Sequence, residues 1–299
     1  AVLYYEYAYS QSKIAEMLGI SRSYVSQLLL YAKETNIVRI TIDSSNHYIE
    51  EIEFAEKFKL KNVYILQSAS YEFSKENIGN FAAQHISYLI NQAKVIGITV
   101  GDTLQRVVSQ ISPYGIVHPE RKIIVQLSGG YNISDQLMLS TLHNDLVGEL
   151  GDKLSCRSLY LNCPVVFENE SLRNLIMQET MVKDVIDYWD CIDLAILGIG
   201  SIGDNSRVLS LVPDKIKQQI FNSAAVCEIN FNFYDKSGKN IGILEQNKIN
   251  MQSMKLKQVE NKVAVCYGAD KASALLAGLR AGMIDILFID SLIADEVYR

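Results

Sequence analysis

Five cysteines, an odd number with no CxxC pair among them, exclude a disulfide framework and fit a reducing compartment. Cys156 and Cys163 stand too irregularly for a zinc knuckle. The four histidines, His47, His85, His118 and His143, form no HExxH or similar array, so no metal site is expected. A GxSxG elbow for a serine nucleophile is missing too. No apolar run reaches the length of a membrane span and no signal peptide precedes the first helix, so the expectation is a soluble cytoplasmic chain without membrane contact. Positive charge is not in excess: 28 Lys and Arg face 34 Asp and Glu, a net charge of −6. Repeats and low-complexity tracts are not visible. The chain opens at Ala1 without a methionine, inside what reads as a helix, so a short N-terminal piece is expected to be missing.

What is present begins at Ser10–Tyr31, SQSKIAEMLGISRSYVSQLLLY, which has the spacing of a helix-turn-helix. Ala15 supplies a small residue where two helices cross, and Gly19 supplies the turn. Ile14, Leu18, Ile20, Val25 and Leu28 are placed to close a mini-core, and Ser21 stands where an N-cap belongs. With Val25, Leu28, Leu29 and Ala32 inward, the second helix turns Arg22, Ser23, Ser26 and Gln27 outward, with Tyr24 beside them. Such groups reach base edges and phosphates in a major groove, so Ser21, Arg22, Ser23, Tyr24, Ser26 and Gln27 form the candidate DNA-reading set. An ordinary helical hairpin with a capped second helix is the alternative.

The net charge lies outside this reader. Within residues 1–43, Lys13, Arg22, Lys33 and Arg39 cancel Glu6, Glu16, Glu34 and Asp43. Bulk attraction to phosphate is therefore small, and oligomers spanning paired half-sites are expected to supply the affinity.

A chain of 299 residues leaves ample sequence for a second unit. The expected division is a helix-turn-helix domain over 1–43, a linker helix over 44–60, and an effector-binding and oligomerisation domain over 61–299. Ile37–Ile42 has the β-branched character of a wing or return strand. Beyond Lys61, strand-like runs at Val63–Leu66, Val95–Thr99, Lys122–Leu127, Leu194–Leu197, Ala225–Ile229, Val263–Tyr267 and Ile286–Ile289 alternate with helical stretches. The helices are expected at Ile78–Gln92, Thr103–Ile111, Leu137–Leu150, Ser171–Tyr188 and Lys271–Ala281. The fold class is thus α/β, a doubly wound, mostly parallel sheet with both faces covered.

Ligands in such sheets sit beyond the carboxyl ends of the strands. Four loops there are polar or glycine-bearing: Gly97–Leu104, Ser128-Gly129-Gly130-Tyr131-Asn132, Gly198–Gly203 and Gly268–Lys271. Each alone reads equally as a tight turn; together they favour a pocket. Gly198–Gly203 spells GxGxxG, but polar Asp204-Asn205-Ser206 follows where a helix should open, so no dinucleotide cofactor is expected. Lys271 in a helix first turn calls for an anionic partner and is a candidate ligand contact or a solvated lysine beside Asp270. Glu228, within the apolar Ala224–Ile229, is a candidate acceptor for sugar hydroxyls or an edge-strand charge.

These motifs resemble the sorbose-operon (SorC) family of bacterial transcriptional regulators over essentially the whole chain. The matching residues are Tyr4-Tyr5-Glu6, SQSKIAEMLGISRSYVSQLL, Asn36–Ile40, GITVGDTL, VQLSGG, DLAILGIG, FNFYDKSG over Phe231–Gly238, and GADKASALLAGLRAG over Gly268–Gly282. The resemblance implies a helix-turn-helix joined to an effector domain like sugar-phosphate isomerases and glucosamine-phosphate deaminases, assembled as a tetramer. It implies a catalytically silent pocket that takes a sugar, polyol or phosphosugar and controls binding to a double-stranded operator. By position, Thr99, Gly101, Asp102 and Thr103, backed by Ser128, Gly129 and Gly130, would face the phosphate or equivalent end, with Lys271 across and Glu228 on the hydroxyls. The alternative function is a sugar-phosphate isomerase or deaminase with an appended helical arm.

Overall fold

Ser10 and Gly19 delimit the first long helix of the reader. A computed structural model describes residues 1–35, 37–38, 48–130, 145–203, 206–210 and 212–298. After the short α1 (Val2–Tyr5), the Ser10 hydroxyl accepts the Lys13 amide at 3.2 Å and starts α2 (Gln11–Leu18). Gly19 ends α2 in the left-handed region, φ 65°, which a residue without Cβ adopts at little cost. Two residues on, the Ser21 hydroxyl accepts the Tyr24 amide at 3.1 Å and opens α3 (Arg22–Glu34).

Ile14, Ala15, Val25 and Leu29 form the small core between α2 and α3, with Leu3, Tyr4, Tyr9 and Ile20 packed against it. Two expected members are corrected: Leu18 is 56% exposed and Leu28 43% exposed. The buried stripe of α3 runs Val25, Leu29, Ala32, spaced by four and three, and Leu28 lies one helical step to its side. Leu18 stands on the last turn of α2, just ahead of the left-handed glycine. Most of the strand expected over Ile37–Ile42 lies outside the described residues, as does the start of the helix expected over Leu137–Leu150.

The chain divides into two units, residues 1–46 and 47–299. The second begins with α4 (Tyr48–Phe58), the segment expected as a linker helix, which buries Phe54 completely. There follow β1 (Asn62–Leu66), α5 (Tyr71–Gln92), β2 (Val95–Ile98), α6 (Asp102–Gln110), β3 (Ile123–Gln126), α7 (Asp145–Leu154) and β4 (Arg157–Leu159). Next come α8 (Glu170–Ile176), α9 (Thr180–Asp187), β5 (Leu194–Gly198), β6 (Gly200–Ser201), α10 (Arg207–Ser210) and α11 (Asp214–Phe221). The remainder is β7 (Cys227–Ile229), β8 (Asn232–Tyr234), α12 (Ser253–Gln258), β9 (Asn261–Val265), α13 (Ala272–Arg280), β10 (Ile286–Asp290) and α14 (Ser291–Tyr298).

Seven strands form one sheet in the order β1-β10-β9-β5-β2-β3-β4, every pairing parallel. Its five inner strands are buried on both faces, and successive residues serve opposite sides. Ile96, Ile124, Ile196 and Phe288 pack against α5, α6 and α7, whereas Val125, Ala195, Leu197 and Leu287 pack against α4, α9, α13 and α14. From β2 the chain steps outward through β3 to β4 and from β5 outward through β9 to β10, with β1 added at the far edge, so the crevice of the sheet opens between β2 and β5.

The run Ala225–Ile229 does not join this sheet. Its core, Cys227–Ile229, pairs antiparallel with β6 and β8 in a separate three-stranded sheet. The seventh strand of the large sheet is instead the edge strand Arg157–Leu159, which was not expected from sequence and has no fully buried side chain. The helix expected over Ser171–Tyr188 is two, because Glu179 takes extended backbone between α8 and α9.

Gly129 shows how closely the backbone after β3 approaches the backbone at Pro164. A Cβ there would stand 2.4 Å from the Pro164 carbonyl oxygen and 2.6 Å from its carbon, and backbone cannot swing aside. Gly129→Ala is expected to cost about 1–3 kcal/mol through overpacking, read as a melting temperature lower by roughly 3–10 °C. A variant that melts with the parent would refute the close approach.

Candidate functional site

The carboxyl ends of β2, β3, β5 and β9 and the edge of the small sheet enclose a cavity of about 370 Å³. Each wall follows from a local feature. Thr99, just past β2, is buried and its hydroxyl accepts the Gly198 amide at 2.9 Å, tying the β2 loop to the β5 loop. Gly101 precedes α6 without a side-chain cap, so the first-turn backbone of α6, Asp102 to Leu104, forms a wall with helix-terminal amides.

Glu228 enters from β7, directly opposite Gly200 in register. A Cβ on Gly200 would lie 2.7 Å from the Glu228 Oε2 atom, so the glycine is what leaves room for the carboxylate. The GxGxxG stretch therefore feeds β6 and does not open a helix. Glu228 Oε1 accepts the Phe231 amide in a short hydrogen bond across the hairpin turn. That turn holds Asn230 and Phe231 at φ 53° and 58°, the two-residue left-handed geometry of a tight hairpin, at a cost that the partly buried carboxylate contact helps offset.

Burial pushes the Glu228 carboxyl up to about 7, against the Phe231 amide and the Lys248 and Lys271 cations, which pull it down. Lys248 is itself buried, its Nζ donating to the Phe231 carbonyl at 3.0 Å and to Glu245 at 2.9 Å, and burial pushes its ammonium below the usual lysine range. Lys271 stands across the cavity, its Nζ donating to the Ile199 carbonyl at 3.4 Å and lying 5.9 Å from the Tyr267 ring centre. The Tyr267 ring centre lies 5.4 Å from that of Tyr71, and burial raises its phenol.

Of the expected effector contacts, Thr99, Gly101, Asp102, Thr103, Ser128, Glu228 and Lys271 line this one cavity. Gly129 and Gly130 do not: their amides donate to Ile249 and Cys163 carbonyls, and they serve the close backbone approach at Pro164. Asn230, Tyr71 and Tyr267 line it without having been singled out from sequence. Asn230 is 4% exposed, its Nδ2 donates to the Leu127 and Met251 carbonyls at 3.1 Å each, and its Oδ1 has no partner. The signal for it was its tolerance of left-handed backbone in a hairpin turn.

In the reader, Arg22, Ser23, Tyr24, Ser26 and Gln27 are all exposed on α3. Ser21 is exposed as well, with its hydroxyl engaged as the N-cap. Among the described residues no group of three or more His, Cys, Asp or Glu is arranged to hold a metal, and no helix is long and apolar enough to cross a membrane.

Comparison with known proteins bears on both units. Residues 45–299 match the family model described as "Putative sugar-binding domain", and residues 2–34 match that of "Sigma-70, region 4". The deoxyribonucleoside regulator of Bacillus subtilis is 24% identical over 297 residues, covering 97% of this chain and 93% of the relative. The sorbitol operon regulator of Klebsiella pneumoniae is 27% identical over 298 residues, covering 96% and 92%. The crystal structure of that full-length regulator superposes with a TM-score of 0.77 at 26% identity, over 100% of this chain and 97% of the other. A reader helix pair ahead of a pocket at the crevice of a parallel sheet, matched along nearly the whole length, makes this chain a member of the SorC family of DNA-binding transcriptional regulators with a sugar-binding domain.

Proposed function

We propose that the chain represses or activates a carbohydrate operon according to whether a sugar, polyol or phosphosugar fills the cavity of its second unit. Glu228 and Asn230 offer acceptors to ligand hydroxyls, while Lys271 and the α6 amides offer positive potential to an anionic or strongly polar end. Arg22, Ser23, Tyr24, Ser26 and Gln27 read the duplex. The observation that carries the reading is the convergence of Glu228, Lys271, Thr99 and the α6 N-terminus on one cavity in a chain that also holds a capped helix-turn-helix. The boundary of the reader falls near residue 43, the working assembly is a tetramer in the cytoplasm, and the pocket is a sensor without turnover. A ligand that favours one assembly state shifts operator affinity by its difference in binding energy.

A panel of D-glucitol, D-glucitol 6-phosphate, D-ribose 5-phosphate, 2-deoxy-D-ribose 5-phosphate and D-fructose 6-phosphate tests this by thermal shift. Duplex selected from a random pool is then titrated with and without each compound. At least one compound is expected to raise the melting temperature by several degrees and to change duplex affinity fivefold or more, with the compound recovered unchanged. Chemical conversion of a compound would favour the isomerase or deaminase reading. No shift from any member, or no selected duplex, would overturn the proposal.

A further inference from the structure

Asp290, the last residue of β10, is fully buried and gathers three elements at once. Its carboxylate accepts the Ser74 hydroxyl in a short hydrogen bond, the Gly268 amide at 3.2–3.3 Å, and the Ile293 amide at 3.1 Å. Ser74 belongs to the first turns of α5, whose opening residue Tyr71 lines the cavity. Gly268 begins the arm that carries Asp270 and Lys271 into the cavity. Ile293 lies in the first turn of α14, so Asp290 also caps that helix.

The other end of α14 meets α4. Tyr298 donates its hydroxyl to Glu53 at 3.2 Å, its ring centre lies 6.0 Å from that of Phe54, and the Lys57 ammonium stands 4.6 Å over it. Phe54 is wholly buried, which fixes α4 to the core, and α4 is the first described helix after the reader in sequence.

We infer that Asp290 is a positioning residue that locks the Lys271 arm to the start of α14, so that filling the cavity moves α14 and, through Tyr298, α4. This rests on the sensor reading above. The physical reason is the scarcity of alternatives: a fully buried carboxyl group with three donors loses a hydrogen bond if any one element moves alone. The Gly268 arm and α14 therefore shift together or stay together. Tyr298 is the point where that shift reaches the helix that follows the reader.

Hydrogen exchange of the full chain without added compound tests the link. Asp290→Asn is expected to speed exchange about tenfold in three places: the arm 268–272, the first turn of α14, and residues 53–58 of α4. Val147→Ala, on the opposite face of the sheet, serves as a control for general loosening and leaves α4 unchanged. If Asp290→Asn does not fold, Ser74→Ala removes one donor and gives the same pattern at about threefold. Loosening of the arm without α4 would overturn the transmission, and no loosening of the arm would overturn the positioning.

A second readout separates this from a merely structural role. Tyr298→Ala should leave the dissociation constant of the most stabilising panel compound within about twofold, while reducing its effect on duplex affinity at least threefold. An undiminished effect would count against the relay. A panel in which nothing binds the parent protein would sink the sensor reading, and the exchange pattern would still decide the role of Asp290.

Discussion

Replacing Arg22 by alanine lowers affinity for the selected duplex on the order of 10- to 100-fold and leaves the melting temperature and cavity binding unchanged. Arg22 is the first residue of α3 and is exposed, so its side chain contributes nothing to the Ile14, Ala15, Val25, Leu29 core. At the N-terminal end of a recognition helix a guanidinium reaches a guanine edge or a phosphate, and a good base contact is worth about 1–3 kcal/mol. The surrounding charges make the loss harder to absorb. The reader's four cations and four anions cancel, so no reserve of positive charge holds the duplex when one is removed. Should Arg22 bind phosphate, the salt dependence of binding falls by about one counterion per reader and all duplexes weaken alike; should it bind a base, discrimination falls at one position. Wild-type affinity in a gel-shift titration would remove Arg22 from the interface.

The parts of the fold that were legible from sequence are those governed by local pattern. Ser10, Gly19 and Ser21 announce the helix ends because capping and left-handed backbone are chemistry of neighbouring residues. The six apolar runs that form the large sheet were visible because the five inner ones are buried on both faces and β1 on one. The direction of Cys227–Ile229 was not, since an antiparallel hairpin and a parallel strand of three residues have the same composition. Arg157–Leu159 was hidden by its own exposure at the sheet edge. In the pocket, Glu228 stood out as a charge inside an apolar run and Lys271 as a cation in a helix first turn. Gly129 and Gly130 were drawn into the pocket by their place after a strand, because the partner that explains them, the Pro164 backbone, lies far along the chain. Asn230 and Tyr267 reach the cavity through tertiary packing that no spacing rule encodes.

Glu228→Gln should weaken binding of the most stabilising panel compound by on the order of 10- to 100-fold at pH 8 and abolish the dependence of that binding on pH. Hydrogen bonds to an ionised acceptor contribute about 1.5–3 kcal/mol, which sets the range. In the parent chain the carboxyl titrates near 7, so its ionised share rises from about a tenth at pH 6 to about nine tenths at pH 8, and affinity should rise up to about ninefold over that interval. Stability of the empty protein runs the other way. A carboxyl whose folded pKa is raised above its unfolded value holds its proton in the native state, so its contribution is fully present below about 4.5 and is lost as pH climbs through 7. Lys248 and Lys271 moderate the loss by favouring the ionised form, and Cys227, buried beside Glu228 with its thiol pushed well up, adds no competing negative charge there near neutrality. Opposite slopes for affinity and for stability between pH 6 and 8, both flattened in the glutamine variant, are the signature of one carboxyl serving as acceptor for the ligand. A binding curve that keeps its pH slope in Glu228→Gln would assign the titration to another group and leave the hydroxyl end of the cavity without its acceptor.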